Sequence, residues 1–307
     1  MVRAEELVHV IRGGHIDLIH YGSIVAVDTE GKIVYSVGDV DRSAFMRSSA
    51  KPIQAITVAE TGALEKFGIS QKELAIICAS HAGQDIHVET VRDILSKLGL
   101  TEDALQCSKS NAIRDNCSGK HSGILMLCKF HDFPLDNYTD PHHPAQVMIR
   151  KVMAEMCKVD KVEYGIDGCG VPTFYMPLSS MAVGFARLAN PEDLPPKRKE
   201  AVTKIVAAMQ AHPEMTGEIR DGKTWPKQMV AKGGALGMYC GGILGKKVGI
   251  AAKSDDGNST ACALAFTETI KRLELVDNEE LTEYQNLRST TITNRRGEVV
   301  GEMKAVF

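Results

Sequence analysis

Short β-rich segments stand at both ends of this chain, and a long run of helical patterns fills the stretch between them. That order constrains the fold, because strands at the two termini satisfy their backbone groups most simply in one shared sheet covered by the inserted helices. Near the start lie LVHVIRG, SIVAVD and KIVYSVG, the last two separated by Thr29-Glu30-Gly31, which reads as a hairpin turn. At the end, TTITNRRGEVVGEMKAVF alternates apolar and polar residues around a turn at Arg295-Arg296-Gly297. Helical spacing covers residues 52–64, 85–98, 119–131, 144–158, 174–189, 196–210 and 259–273. Short apolar segments at 75–79 (AIICA), 162–166 (VEYGI) and 247–253 (KVGIAAK) read as strands. The expected fold class is α+β, with an antiparallel sheet formed from N- and C-terminal strands and an inserted helical region. No stretch has linker composition, so a single compact domain is expected over 1–307. Its α/β part covers about 1–50 and 225–307, and its mainly helical part about 51–224.

Charge and hydropathy remove several classes of function. Thirty-six Lys and Arg against 39 Asp and Glu leave a net charge of -3, so no basic excess is present to hold a phosphate backbone, and nucleic acid is not expected as a partner. No apolar run approaches the ~20 residues of a membrane span. The opening MVRAEELVHVIRGG has no signal-peptide core, and a cytoplasmic protein is expected. Without an export signal the eight cysteines are expected as thiols. Cys128, Cys157, Cys240 and Cys262 have apolar neighbours and read as core, whereas Cys117 and Cys169 lie in polar, glycine-containing stretches of the kind that hold ligands.

Three motifs carry chemistry. In Arg47-Ser48-Ser49-Ala50-Lys51-Pro52, residues three apart are neighbours on a helix, so Lys51 can reach Ser48 while Ser49 points elsewhere. Ser48 is thus a candidate nucleophile and Lys51 its base, provided burial or a second cation lowers the lysine from ~10.4. Pro52 places this segment at a helix start, where orphan N–H groups favour developing negative charge. The ordinary reading is a capping serine. Asn116-Cys117-Ser118-Gly119-Lys120-His121-Ser122-Gly123 and Asp167-Gly168-Cys169-Gly170 together supply two thiols and a carboxylate, donors that suit zinc, with His121 or Lys120 as a fourth. Ordinary ligand chemistry favours the histidine, and packing cysteines are the ordinary alternative. Ala79-Ser80-His81-Ala82-Gly83 and Lys253-Ser254-Asp255-Asp256-Gly257-Asn258 follow apolar segments and read otherwise as a loop and a helix-capping turn.

RSSAKP, SHAG, NCSGKHSG, DGCGVPT, AKGGALG and AAKSDDG, in this order and over most of the chain, resemble the rhizobial-type L-asparaginase family. The resemblance implies a fold related to serine β-lactamases and glutaminases, a homodimer, and hydrolysis of L-asparagine to L-aspartate and ammonia. It implies two Ser-Lys pairs, Ser48 with Lys51 and Ser80 with Lys253. It also implies a zinc-type site of Cys117, Lys120, Asp167 and Cys169, choosing lysine over histidine, with the metal supporting and not activating water. No organic cofactor is expected. On charge alone, Arg47 or His81 would meet the substrate α-carboxylate and Asp115 its α-ammonium. Two rival readings exist. A penicillin-recognising serine peptidase or β-lactamase shares SxxK, and Lys232-Gly233-Gly234 partly matches KTG, but no SDN element is present. A non-catalytic zinc-binding protein has no use for a second Ser and Lys.

Overall fold

In the computed structural model, residues 4–217, 225–277, 279, 281 and 290–307 are described. Strands run over Glu5–Arg12 (β1), His15–Asp28 (β2), Ile33–Val37 (β3), Ser43–Phe45 (β4), Glu163–Ile166 (β5), Pro172–Pro177 (β6), Met229–Gly234 (β7), Met238–Ile243 (β8), Val248–Ser254 (β9), Thr291–Thr293 (β10) and Val299–Ala305 (β11). Helices run over Lys51–Ala59 (α1), Ala63–Lys66 (α2), Gln71–Ile77 (α3), Asp85–Lys97 (α4), Ser118–His131 (α5), Pro144–Cys157 (α6), Leu178–Ala189 (α7), Pro196–Ala211 (α8), Pro213–Thr216 (α9) and Ser259–Arg272 (α10). No helix among the described residues is long and apolar enough to cross a membrane. The chain divides into two compact units, one of residues 1–49, 176–190 and 219–307, the other of residues 50–175 and 191–218.

The first unit is an antiparallel sheet ordered β10-β11-β1-β2-β9-β8-β7, with β3 also on β2. N- and C-terminal strands share it, as expected: β1 and β2 lie side by side, β1 pairs with β11 and β2 with β9. Both expected hairpins are present. Asp28 Oδ1 accepts the amides of Glu30 and Lys32 at the β2–β3 turn, and Asn294 Oδ1 accepts those of Arg296 and Glu298 between β10 and β11. Alternation sends Ile24, Ala26, Tyr239, Ile250 and Ala252 into one core with Phe266 and Ile270 of α10. Trp225 and Tyr239 rings pack edge-on and tilted against Phe266, at 5.5 and 5.2 Å.

The glycine-rich β7 and β8 are strands that the sequence reading does not assign. Gly242 of β8 and Gly249 of the neighbouring β9 answer to α7. A Cβ on Gly249 would meet the Ala182 carbonyl oxygen at 2.0 Å, and one on Gly242 the Phe185 carbonyl oxygen at 2.1 Å. The helix therefore lies directly on backbone, and the residues that permit this contact carry no strand propensity to be read.

The second unit contains α1 to α6, α8, α9 and the β5–β6 hairpin. Helix α1 is buried on every side, against α5, α6 and α8. Three expectations change here. The run 52–64 is not one helix, since α1 ends at Ala59 and α2 starts at Ala63, after Gly62 at φ +91°. AIICA ends α3, with Ala75–Ile77 helical, and is not strand, because Ser70 and Glu73 form a capping box: Ser70 Oγ accepts the Glu73 amide, and the Glu73 carboxylate accepts the Ser70 amide. The segment 174–189 is not one helix, because Pro172 to Tyr175 pairs with β5 and the helix starts only after Pro177.

Gly249→Ala should therefore destabilise the protein by about 2–3 kcal/mol or more, since the atoms it would meet, the Ala182 carbonyl oxygen and the Ala186 amide nitrogen, are both backbone. A urea midpoint equal to wild type would contradict so close a helix–sheet contact.

Candidate active site

The chain enters α1 through a 3-10 turn, Arg47–Ala50. Arg47 opens it at φ +54°, a left-handed conformation uncommon for a side chain of this size. Ser48 follows, half-buried. Ser49 is buried and donates to the Lys232 carbonyl oxygen at 2.8 Å, which ties it into the sheet unit. Lys51 and Pro52 are the first two helical residues, so the missing proline N–H falls among donors that lack an intrahelical partner anyway.

Lys51 is 2% exposed. Its Nζ donates to Ser80 Oγ at 2.9 Å and to the Asn116 carbonyl oxygen at 3.3 Å. Ser80 is half-buried in the segment leaving α3. The structure thus brings together Lys51 and Ser80, which the sequence reading assigns to separate pairs. Lys253, on β9, donates to the carbonyl oxygens of Leu236 and Ser254. Burial lowers its pKa, and the Arg42 guanidinium lowers it further.

Beside Asn116 stands Cys117, at the N-terminus of α5, on which the Lys51 charge acts. Cys117 meets Cys169, and Lys120 Nζ lies 3.2 Å from Cys169 Sγ. Gly119 is what lets α5 seat here, since a Cβ would meet the Ile76 carbonyl oxygen at 2.2 Å. Cys169 is presented by a turn in which the Asp167 amide donates to Val171 O and the Gly170 amide to Asp167 O. The hydrogen bond from Cys169 holds the Cys117 thiol well below its ordinary range, with burial opposing and the Lys120 and Lys51 charges assisting. The same bond, with burial, raises Cys169. For Lys120, burial disfavours the charge, but the two sulfurs and Asp167 prevail and raise it. Asp115 accepts the Cys117 amide at 2.8 Å, and burial raises its carboxyl.

Two sulfurs and an amine converge, with Asp167 acting on Lys120 through its charge. Among the described residues no three His, Cys, Asp or Glu side chains meet closely enough to hold a metal ion. The donor set fits a thiophilic divalent cation such as zinc only with Lys120 as a neutral ligand. His121 has its Nδ1 against Tyr138 Oη at 2.8 Å, and Tyr138 Oη in turn accepts the Gln106 amide. The sequence reading misses Tyr138 and His87, which have no motif spacing to mark them.

His81 is also 2% exposed, with Nδ1 accepting the Gly83 amide and Nε2 at 2.9 Å from Ser118 Oγ. Burial lowers its pKa from 6.5 to about 3. His121 is lowered as well, by burial first and then by Lys120 and Lys51.

The comparisons set this geometry among known proteins. The native form of Mglu in 4.3 M NaCl superposes over 84% of this chain with TM-score 0.51 and 15% identity. The chain spans 62% of that structure's length. A β-lactamase from Mycobacterium bovis aligns over 83% of this chain and 95% of its own, at 13% identity and TM-score 0.48. A Bacillus glutaminase aligns over 83% and 91%, at 14% and 0.40. The fold is thus the α+β fold shared with Mglu. The model of the L-asparaginase II family matches residues 8–305, and the chain belongs to that family. None of the curated proteins compared matches it.

The histidines set a pH dependence of stability. Unfolded His81 protonates near 6.5 and folded His81 only near 3, so below 6.5 the unfolded chain binds more protons. Its contribution is complete above 6.5 and is lost as pH falls toward 3. From about pH 7.5 to about pH 5, this group alone should remove about 2 kcal/mol, read from urea midpoints at the two pH values. His81→Asn should flatten that slope, and an unchanged slope would contradict the neutral buried ring.

Proposed function

We propose that this chain is an L-asparaginase that hydrolyses L-asparagine to L-aspartate and ammonia by Ser-Lys acyl transfer. The observation that carries the reading is the buried Lys51 amine donating to Ser80 Oγ at 2.9 Å, in a member of the L-asparaginase II family. Ser48, three residues before Lys51 in the chain, attacks the side-chain amide carbon, and neutral Lys51 takes its proton. Ser80 relays a proton to the departing nitrogen. The C–N bond breaks, ammonia leaves, and water releases aspartate from the ester. Lys253 is the second amine that the resemblance assigns, and the depressed affinity of its amine for a proton supports that role. Arg47 is proposed for the substrate α-carboxylate and Asp115 for its α-ammonium. His81, whose ring nitrogens are both engaged within the protein, is assigned to its loop instead.

Cys117, Lys120 and Cys169 would hold zinc, with Asp167 completing the set. When bound, the ion supplies fixed positive charge and no attacking water. The enzyme is proposed to work as a homodimer, a reading supported by apolar side chains Ile16, Leu18 and Val34 exposed on β2 and β3.

The Lys51–Ser80 contact also favours a second reading, in which Ser80 is the acylated serine. Mass spectrometry of enzyme quenched during turnover separates the two. An aspartyl adduct of the peptide containing Ser48 is expected, and an adduct on Ser80 would reverse the roles. Ser48→Ala and Lys51→Met should each lower kcat by at least about a thousandfold while the fold persists. Near-normal ammonia release from either variant would overturn the mechanism.

A further inference from the structure

The segment carrying Ser80 is held by two imidazoles that use the same bonding pattern. His81 Nδ1 accepts the Gly83 amide at 3.1 Å, and His87 Nδ1 accepts the next amide, that of Gln84, at 3.1 Å. An Nδ1 that accepts leaves the proton on Nε2. The His81 Nε2–H then donates to Ser118 Oγ at 2.9 Å, and Ser118 Oγ donates onward to the Ile113 carbonyl oxygen at 2.9 Å. The His87 Nε2–H donates to the Glu214 carbonyl oxygen at 2.9 Å. That carbonyl can only accept, so the His87 tautomer is determined from both sides. The rings stack at 5.1 Å with 17° between their planes, and both residues are 2% exposed.

We propose that His81 and His87 are positioning residues for Ser80: two stacked, neutral imidazoles clamp its loop and keep Ser80 Oγ within hydrogen-bond reach of Lys51 Nζ. Two consecutive loop amides end on the rings, so the backbone after Ser80 cannot turn without breaking both bonds. Each ring passes the restraint to a separate anchor, His81 to the start of α5 through Ser118 and His87 to α9 through Glu214. The approach to α5 also supplies the Asn116 carbonyl oxygen, which accepts from Lys51 Nζ at 3.3 Å, so serine and amine are referred to the same helix start. Protonating either Nδ1 would set a donor against a donor, so the clamp exists only with uncharged rings. The burial that keeps the His81 pKa low is consistent with this state.

The clamp rests on the reading that Ser80 takes part in acyl transfer, and two measurements keep the two apart. Long-range 1H–15N spectra of the wild-type enzyme with labelled histidine report the tautomers directly. Both rings should be neutral and protonated on Nε2 at about pH 7. A charged ring or an Nδ1–H form at His81 or His87 overturns the clamp, whatever the enzyme does with asparagine. For function, His81→Phe keeps ring volume and stacking but neither hydrogen bond, whereas His81→Asn keeps an acceptor for the Gly83 amide. Phe should lower kcat at least about tenfold with KM changed by less than about twofold, and Asn should recover part of the loss. A folded His81→Phe enzyme with wild-type kcat, or equal losses in the Phe and Asn variants, overturns the positioning role. Absence of ammonia release from the wild-type enzyme would count against the proposed function alone.

Discussion

A lysine placed at the first position of a helix buried on all sides is the constraint around which this protein is organised. Lys51 is 2% exposed, and its Nζ has fixed partners in Ser80 Oγ and the Asn116 carbonyl oxygen. A buried amine is costly unless its donors are used, and every segment that supplies a partner must be held to within a fraction of an ångström. Much of the helical unit can be understood as meeting that demand. The capping box fixes where α3 begins, and Gly119 lets α5 close on α3. The turn after β5 brings Cys169 to Lys120.

The same principle of backbone laid on backbone builds the sheet unit. Helix α7 sits on Gly242 and Gly249 so closely that no side chain could intervene, while the opposite face of the sheet buries Ile250 and Tyr239 against α10. Lys253 extends from β9 within this unit, and burial beside Arg42 disfavours its charge. Each unit thus holds an amine whose surroundings are set by its own packing.

What the sequence revealed follows the range of the interactions involved. Period-two alternation in KIVYSVG and TTITNRRGEVVG, with turn residues between, is a local signal, and both hairpins formed where it placed them. SxxK with a following proline correctly located the start of α1. AIICA misled because five apolar residues fit strand or buried helix equally, and the deciding Ser70–Glu73 pair lies just upstream. The β7–β8 hairpin was hidden by its glycines, of which Gly242 answers to a helix more than fifty residues earlier in the chain. At the site, Cys117 and Cys169 could be grouped from motifs with His121 or Lys120, and only the family resemblance chose the lysine, but the bond from Lys51 to Ser80 could not be read at all. It joins residues 29 apart through tertiary packing alone. The role of His87 is invisible for the same reason, since its partner Glu214 lies 127 residues away.

The central claim is that a serine and a buried lysine, and not a metal-bound water, open the amide of asparagine. Ammonia release from L-asparagine and from L-glutamine by chelator-stripped enzyme, with and without added zinc, tests it most directly. Release from asparagine that persists without metal and exceeds release from glutamine is the predicted result. Release that vanishes on stripping and returns only with zinc would contradict the account, and so would release from neither amide.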